Sequence, residues 1–187
     1  GGPVIPVFIR DGLLDELAAA PKFRLGLGLE VLEKSLQDHG NRLIFRSGEA
    51  QTALDALIAE TGATAVYWTR GYDPQSVARD SAIKASLKGR GLEARSFGGH
   101  LMFEPWDVQT KTGTPFKVYT PFWNSVRGRH VEAPLAAPSK IHAPDHWPAS
   151  ETLADWSLGA AMRRGAVVVG RYAQTGEAAA QERLAKF

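Results

Sequence analysis

The sequence predicts an α/β fold: a Rossmann-like, doubly wound parallel sheet, followed by a long irregular connector and the start of a C-terminal helix. Three observations predict it. Short apolar runs alternate with helical patterns over the first hundred residues, glycines mark the ends of the helical patterns, and the alternation stops near residue 100. Strands that alternate with helices through short loops build parallel sheets with right-handed crossovers.

Four short apolar runs are the predicted strands. The first is almost continuously apolar, which is typical of a strand buried on both faces. Pro6 lacks a backbone donor, so we expect it at a sheet margin. The predicted strands are residues 4–9, 42–46, 63–68 and 92–97.

Three helices are predicted between these strands. Leucines spaced by four, three and four residues form the first helical stripe, and Gly40 is expected to end it in a left-handed conformation. Gly62 ends the second helix, and Asp73 opens the third with a proline in its first turn. The stripe is Leu25, Leu29, Leu32 and Leu36, and the later helices are residues 50–61 and 73–88.

The pattern changes after residue 100. Residues 103–106 and 114–123 are rich in aromatic residues and proline and show no helical period. Residues 129–155 read as a connector that is ordered by packing on another part of the protein. Residues 178–187 are strong helix formers. We therefore predict an α/β domain over residues 1–128, and a connector with the start of a helical domain over residues 129–187.

Composition excludes several classes of protein. The 187 residues contain no cysteine, which rules out disulfides, thiolate metal sites and thiol nucleophiles. This composition fits a cytoplasmic protein. No apolar run reaches the length of a membrane helix, so no membrane partner is expected. The formal net charge of +2 is too small to indicate nucleic-acid binding by charge alone.

Two motifs that suggest ligand sites have simpler interpretations. Gly26 and Gly28 form part of a dinucleotide fingerprint, but they lie inside a predicted helix, which favours helix packing. His142 and His146 are separated by a proline that prevents a helical metal site, so we expect a loop and no metal. No pairing of nucleophile and base stands in a recognisable context, and no catalytic residue is predicted.

The start of the third helix is the best candidate site. Asp73 follows the third strand, at the edge of the sheet where ligands bind in doubly wound folds. Backbone N–H groups at a helix start favour an anionic or amide-rich ligand. The alternative is that Asp73 only caps the helix.

Residues 116–123 contain four aromatic side chains. They could stack on nucleic-acid bases. Few basic residues lie near them, so an apolar anchor for the connector or for a further domain is favoured. We expect Tyr119, Phe122 and Trp123 to contact the connector or such a domain more than solvent.

Five segments resemble the amino-terminal domain of DNA photolyases and cryptochromes. Residues 117–123 resemble the Y-T-P-F-W signature of the family and are the most specific match. Residues 176–187 resemble the segment G-E-x-x-A-x-x-R-L-x-x-F, which opens the helical domain. The other three segments are residues 4–11, residues 42–48, and residues 67–74 together with Arg79-Asp80.

The resemblance implies an antenna domain of a deoxyribodipyrimidine photolyase, which repairs pyrimidine dimers in light. The first strand of the family would precede Gly1, and the loss of that central strand would leave sheet edges unpaired. The helical domain, which binds FAD and damaged DNA, would follow Phe187. This chain alone is expected to be inactive. The alternatives are a cryptochrome photoreceptor domain and an unrelated α/β nucleotide-binding module.

The resemblance also implies a second chromophore, a reduced folate or a deazaflavin, that passes excitation energy to the flavin. Such rings need flat apolar contacts and a carboxylate or amide for their ring N–H groups. Some folate-binding members have Asn-Glu where this chain has Gln75-Ser76, so this chain lacks the carboxylate that those members have at this position. The residues carried over are Phe8, Ile9, Asp11, Arg24, Tyr72, Asp73, Gln75 and Ser76.

Overall fold

The structure, a computed structural model, describes residues 2–187. Its contacts divide the chain into two compact units. Unit 1 is Gly1–Gly62 together with Ala137–Phe187, and unit 2 is Ala63–Ala136. These units do not follow the boundary expected at residue 128, and that division of the chain into an antenna domain and a connector stays a prediction.

Four strands and seven α-helices follow one another along the described residues, with two short 3₁₀ helices at Leu153–Trp156 and Ala160–Met162. In chain order they are β1 (Val7–Arg10), α1 (Gly12–Asp15), α2 (Ala19–Asp38), β2 (Ile44–Ser47), α3 (Ala50–Thr61), β3 (Ala65–Thr69), α4 (Pro74–Gly89), β4 (Glu93–Phe97), α5 (Tyr119–Val126), α6 (Arg164–Gly170) and α7 (Glu177–Ala185).

The strands form parallel pairs, as the alternating pattern predicts. In unit 1, β1 pairs with β2, with Phe8 opposite Phe45. In unit 2, β3 pairs with β4, with Tyr67 opposite Arg95. The α/β class is thus confirmed, with the strands arranged as two two-stranded sheets.

The helix ends follow the sequence signals closely. Gly62 ends α3 with a φ of 66°, and Gly40 follows α2 with a φ of 74°. Both angles lie in the left-handed region that favours glycine. The Asp73 carboxylate caps α4 by accepting from the Ser76 amide at 2.8 Å.

Gly26 lies within α2, where a Cβ would sit 3.4 Å from the Cβ of Leu158. Its interpretation as a packing glycine is confirmed.

The aromatic segment departs from one expectation. The absence of a helical period was expected to exclude a helix, yet residues 119–126 form α5, with Val126 buried. The expected contact of Tyr119, Phe122 and Trp123 with the connector or with a further domain stays a prediction. Tyr119, Phe122 and Trp123 are 70, 39 and 47% exposed. Each of these rings packs on another aromatic ring. Tyr119 stacks on Trp123, and Phe122 packs edge-on against Phe116.

The core of unit 1 forms around Phe45, which is 1% exposed. Trp156, from the chain beyond the connector, packs edge-on against it with ring centroids 5.3 Å apart. Phe8 packs on the same indole at 5.9 Å. Such aromatic pairs add about 1 kcal/mol each beyond the burial of their area. The other buried members are Leu14, Leu29, Leu43 and Leu158.

The end of the connector pairs with β2 on the edge that β1 leaves free. The Phe45 amide donates to the Ser150 hydroxyl at 3.0 Å, and the Glu151 amide donates to the Phe45 carbonyl at 2.9 Å. The Glu151 carboxylate accepts from the Ser47 amide at 2.7 Å, the Ser47 hydroxyl at 2.5 Å and the Trp156 indole at 2.7 Å. These bonds satisfy backbone groups that an open sheet edge would expose.

A buried amide holds the connector at a second point. Asn41 is 4% exposed, and its side-chain nitrogen donates to the carbonyl of Val4 at 3.0 Å. The Val4 amide in turn donates to the carbonyl of His142 at 2.9 Å. Within unit 1, the later part of the connector is therefore held by packing on another part of the chain, as expected, at His142 and at Ser150–Glu151.

Unit 2 packs α4 against the β3–β4 sheet. Ile83 and Leu87 are 5 and 0% exposed, and Ala94 of β4 is 4% exposed. The Trp68 indole donates to the Asp80 carboxylate at 3.1 Å, which ties β3 to α4. Small side chains on β4 allow this close helix–sheet packing.

Within residues 2–187, no helix has the length and apolar character needed to cross a membrane. In the same range, no three His, Asp or Glu side chains cluster as metal ligands would.

Replacing Glu151 with alanine should lower the free energy of unfolding by about 1–2 kcal/mol, because two Ser47 donors and the indole of Trp156 lose their acceptor. Hydrogen bonds from Ser47 and Trp156 outweigh the effect of desolvation and lower the pKa of Glu151. Its stabilisation is therefore complete above its ordinary pKa near 4.5 and declines as the pH falls below it. Urea unfolding at pH 7 and at pH 3.5 measures both effects.

The matched control is Asp145→Ala, which removes an exposed carboxylate from the same connector. It should leave the free energy of unfolding unchanged. Equal losses in the two variants, or a Glu151→Ala loss that is as large at pH 3.5 as at pH 7, would contradict the role of Glu151.

Candidate functional site

The first group of expected site residues lies at the exit of β1 in unit 1. Phe8 packs on Trp156, and Ile9 is half-buried within the strand. The Asp11 carboxylate caps α1 by accepting from the Leu14 amide at 3.3 Å. These residues lie together, and the Phe8 ring and the Asp11 carboxylate each already have a partner in the fold.

The structure places Arg24 with a different part of unit 1. Its guanidinium donates to the Thr175 hydroxyl and to the Gln174 carbonyl, each at 2.8 Å. Just beyond, Gly176 approaches α2 so closely that a Cβ would lie 2.7 Å from Val31. Arg24 therefore fixes the segment before α7 on α2.

The second group lies on the loop from β3 into α4, in unit 2. Hydrogen bonds from the side chain and amide of Ser76 lower the pKa of Asp73, so its carboxylate is ionised at neutral pH. Gly71 passes so close to Ser76 that a Cβ there would lie 2.5 Å from the serine Cβ. Only glycine fits this approach, and the loop is held tightly around the start of α4. Gln75 is exposed on the first turn of that helix.

Tyr72 belongs to a network that the sequence reasoning missed. Its hydroxyl donates to one oxygen of Glu104 at 2.8 Å, and Arg70 forms an ion pair with the other oxygen at 2.5 Å. Partial desolvation, followed by the hydrogen bond to Glu104, raises the pKa of Tyr72. The phenol therefore stays protonated at neutral pH and serves as a donor.

Arg70 joins this network to an aromatic ring. Its guanidinium lies 4.9 Å from the centroid of Trp106 and donates to the Ser96 carbonyl at 3.2 Å. Gly98 allows the approach, because a Cβ there would lie 2.7 Å from the Glu104 carboxylate. The available sequence signal was a lone carboxylate inside the aromatic segment 103–106, soon after β4. No residue near Glu104 in the sequence indicated a partner, so the sequence did not pair this carboxylate with Arg70.

The loop, together with Trp106 beside Arg70, has groups that are chemically suited to a planar heterocycle. An ionised carboxylate at Asp73 accepts from ring N–H groups, and the Trp106 ring, 53% exposed, offers a flat apolar surface. The ion pair of Arg70 with Glu104 fixes the base of the loop. Asp73 is also the cap of α4, so the cap and the ligand hypotheses are compatible.

Comparison with known proteins gives the family. The model of the family described as DNA photolyase matches residues 1–139. A deoxyribodipyrimidine photo-lyase from Agrobacterium fabrum is 46% identical over 159 residues, which are 84% of this chain and 33% of that protein. Cryptochrome-1 from Arabidopsis thaliana is 32% identical over 151 residues, which are 77% of this chain and 22% of that protein. The chain thus spans a third or less of these relatives.

Solved structures agree with this assignment. A bacterial class III photolyase from Agrobacterium tumefaciens has a TM-score of 0.81 at 46% identity, over 84% of this chain and 33% of that one. A photolyase from Sulfolobus tokodaii, at 23% identity, shares the fold with a TM-score of 0.68 over 84% of this chain and 35% of that one. The matched regions are photolyase N-terminal domains. The family match over residues 1–139, together with the fold, establishes that this chain belongs to the DNA photolyase family and corresponds to its amino-terminal α/β domain.

Proposed function

We propose that this chain is the light-harvesting domain of a deoxyribodipyrimidine photolyase, and that it binds an antenna chromophore. The observation that carries the proposal is the 46% identity to the Agrobacterium fabrum photo-lyase over 84% of the chain. The repair reaction and FAD belong to a helical domain that would follow this one. This chain alone would not repair DNA, and damaged DNA would be a partner of the whole protein through that domain.

The loop around Asp73 is the preferred chromophore site. Its ionised carboxylate supplies one acceptor, and the oxygen of the Tyr72 hydroxyl, whose proton is donated to Glu104, supplies a second; Trp106 supplies a flat surface. A reduced folate or a deazaflavin fits these acceptors, because both carry ring N–H groups. When bound, the chromophore would absorb light and pass excitation energy to the flavin. The archaeal photolyase from Sulfolobus tokodaii was solved with two FAD molecules, which implied a novel light-harvesting cofactor, and this motivates the same search here.

The other expected site residues have smaller roles in the proposed chromophore binding. Gln75 and Ser76 border the loop, and Ser76 acts by orienting Asp73. Phe8, Ile9 and Asp11 form the alternative position at the β1 exit. Arg24 is the least suited of the carried-over residues, because Thr175 and Gln174 already occupy its guanidinium.

A cryptochrome-type photoreceptor domain is the second candidate. The 32% identity to Cryptochrome-1 from Arabidopsis thaliana favours it, since the two families share this domain. The photolyase is preferred because identity to the Agrobacterium protein is higher over a similar share of the chain.

The proposal predicts the spectrum of the full-length protein purified in dim light. Flavin bands should be accompanied by a near-ultraviolet or violet band, and excitation in that band should produce flavin emission. Steady-state absorption and fluorescence excitation spectra measure this. A flavin spectrum without bands of a second chromophore would contradict the antenna role and leave the family assignment unchanged.

Replacing Asp73 with alanine in the full-length protein should lower the ratio of antenna chromophore to flavin, because the ring N–H groups lose their acceptor. Absorbance of the denatured, released cofactors measures that ratio. Asp73→Asn keeps the cap of α4 and should also lower the ratio, which separates ligand binding from helix capping. Asp145→Ala is the matched control and should leave the ratio unchanged. An unchanged chromophore content in both Asp73 variants would refute the site.

A further inference from the structure

Two aromatic rings and a guanidinium follow one another along the exposed side of α5. Tyr119 and Trp123 are four residues apart in this helix, and the Arg127 amide donates to the Trp123 carbonyl at 2.9 Å, so the helical geometry continues to Arg127. Residues spaced by four lie on one face of a helix. The three side chains therefore form one row along α5, and this row is the α5 stripe.

The two rings of the α5 stripe are open to solvent. Tyr119 is 70% exposed and Trp123 is 47% exposed. Their planes lie within 6° of parallel, and their centroids are 6.5 Å apart. Carbon atoms in contact lie about 3.5–4.0 Å apart, so neither ring fully covers the face of the other. Parallel rings with open faces provide a surface on which a planar group stacks.

Two cations beside these rings are unpaired. Arg127 ends the stripe, and Lys117 stands two residues before Tyr119, both of them exposed. In the part of the chain that the structure describes, neither side chain has a hydrogen bond, an ion pair or a ring contact. Arg129, in contrast, is held by two backbone carbonyls. Residues 108–131 contain no aspartate or glutamate, so no acidic residue of this segment competes for the free cations.

Another exposed aromatic pair in unit 2 provides an internal comparison. Tyr67 and Phe97 lie on the β3–β4 sheet and are 54 and 44% exposed, but they pack edge-on at 71°. A hydrogen bond with the Glu93 carboxylate raises the pKa of Tyr67, so a negative charge borders that pair. An anion would be repelled there and attracted to the α5 stripe. Parallel rings and free cations occur together at the stripe.

We infer that the α5 stripe binds unpaired bases of a single-stranded nucleic acid. The bases stack on Tyr119 and Trp123, and the phosphates that join them pair with Arg127 and Lys117. Stacking on aromatic side chains is available to every base, and lysine and arginine form charge-assisted hydrogen bonds with phosphate. The sequence left base stacking and an apolar anchor open. The exposure of the rings and the free cations favour stacking.

This site is separate from the proposed antenna site and from lesion repair by a helical domain. It requires bases that are not stacked on one another inside a duplex. The inference therefore holds whether or not the loop around Asp73 binds a chromophore.

The test is titration of the 187-residue chain into a fluorescein-labelled oligodeoxyadenylate, with anisotropy as the readout. An oligomer of abasic sites of equal length has the same phosphates and no bases. We expect the adenylate to bind about tenfold more tightly than the abasic oligomer, because only the adenylate stacks. Equal affinities, tighter binding of a duplex of the same length, or no binding would overturn the inference.

The salt dependence provides a second measurement on the same oligomer. Two phosphate contacts predict that a fourfold rise in salt weakens binding by about sevenfold. A loss of more than about a hundredfold would require many more cations than Arg127 and Lys117 and would contradict the site.

Tyr119→Leu removes one ring from a largely exposed position and keeps an apolar side chain. Most of the preference for the adenylate over the abasic oligomer should be lost. Tyr172→Leu is the matched control, because Tyr172 is 81% exposed and lies outside the stripe. Equal losses in the two variants would contradict the site. Dimerisation that Tyr119→Leu abolishes, without any binding of the oligomers, would show an interface between copies and would also overturn the inference.

Arg127→Met tests the cation and leaves both rings in place. It should weaken the binding of both oligomers by a similar factor and reduce the salt dependence, while the preference for the adenylate remains. Arg171→Met is its control, because Arg171 is an exposed arginine at the C-cap of α6 as Arg127 is at the C-cap of α5. An equal effect of the two variants would show unspecific attraction to basic side chains and would refute the assigned site.

Discussion

Unit 1 depends on one constraint: the connector satisfies the backbone hydrogen-bonding groups on the second edge of β2. A strand has backbone donors and acceptors on both edges, and β1 satisfies only one edge of β2. Ser150 and Glu151 satisfy the other, and Trp156 follows immediately to close the core over Phe45. Residues 150–156 thus satisfy the open edge of the sheet and bury the aromatic side chains of the core. Because of these contacts, residues far apart in sequence form one compact unit.

In the loop between β3 and α4, one residue, Asp73, has an observed structural role and a proposed ligand role. Asp73 begins α4, and the bonds that make it a good cap also keep its carboxylate ionised. The Arg70–Glu104 ion pair then holds Tyr72 beside it. Preorganised acceptors at Asp73 and Tyr72 would reduce the entropy lost on binding the proposed ring. Family membership gives this arrangement its proposed meaning, because a photolyase amino-terminal domain is where an antenna chromophore is sought.

Arg24 shows the limit of transferring residues by resemblance. Its place in the sequence suggested a chromophore contact, whereas the structure joins it to Thr175 and Gln174. Glu104 shows the opposite limit. It stood unassigned in an aromatic segment, yet it is the shared partner of Arg70 and Tyr72. In both cases the partner lies more than thirty residues away, and no local pattern indicates it.

The sequence by itself determined the local elements. Periodicity, glycines and the Asp73-Pro74 pair located the helices α2, α3 and α4 and all four strands, because these signals act through backbone geometry within a few residues. Motifs also identified the family. Only the tertiary structure decided that the aromatic segment is a helix, that the connector closes β2, and that Glu104 joins Arg70 to Tyr72. Those outcomes depend on contacts between residues distant in sequence, whose energies no local pattern contains.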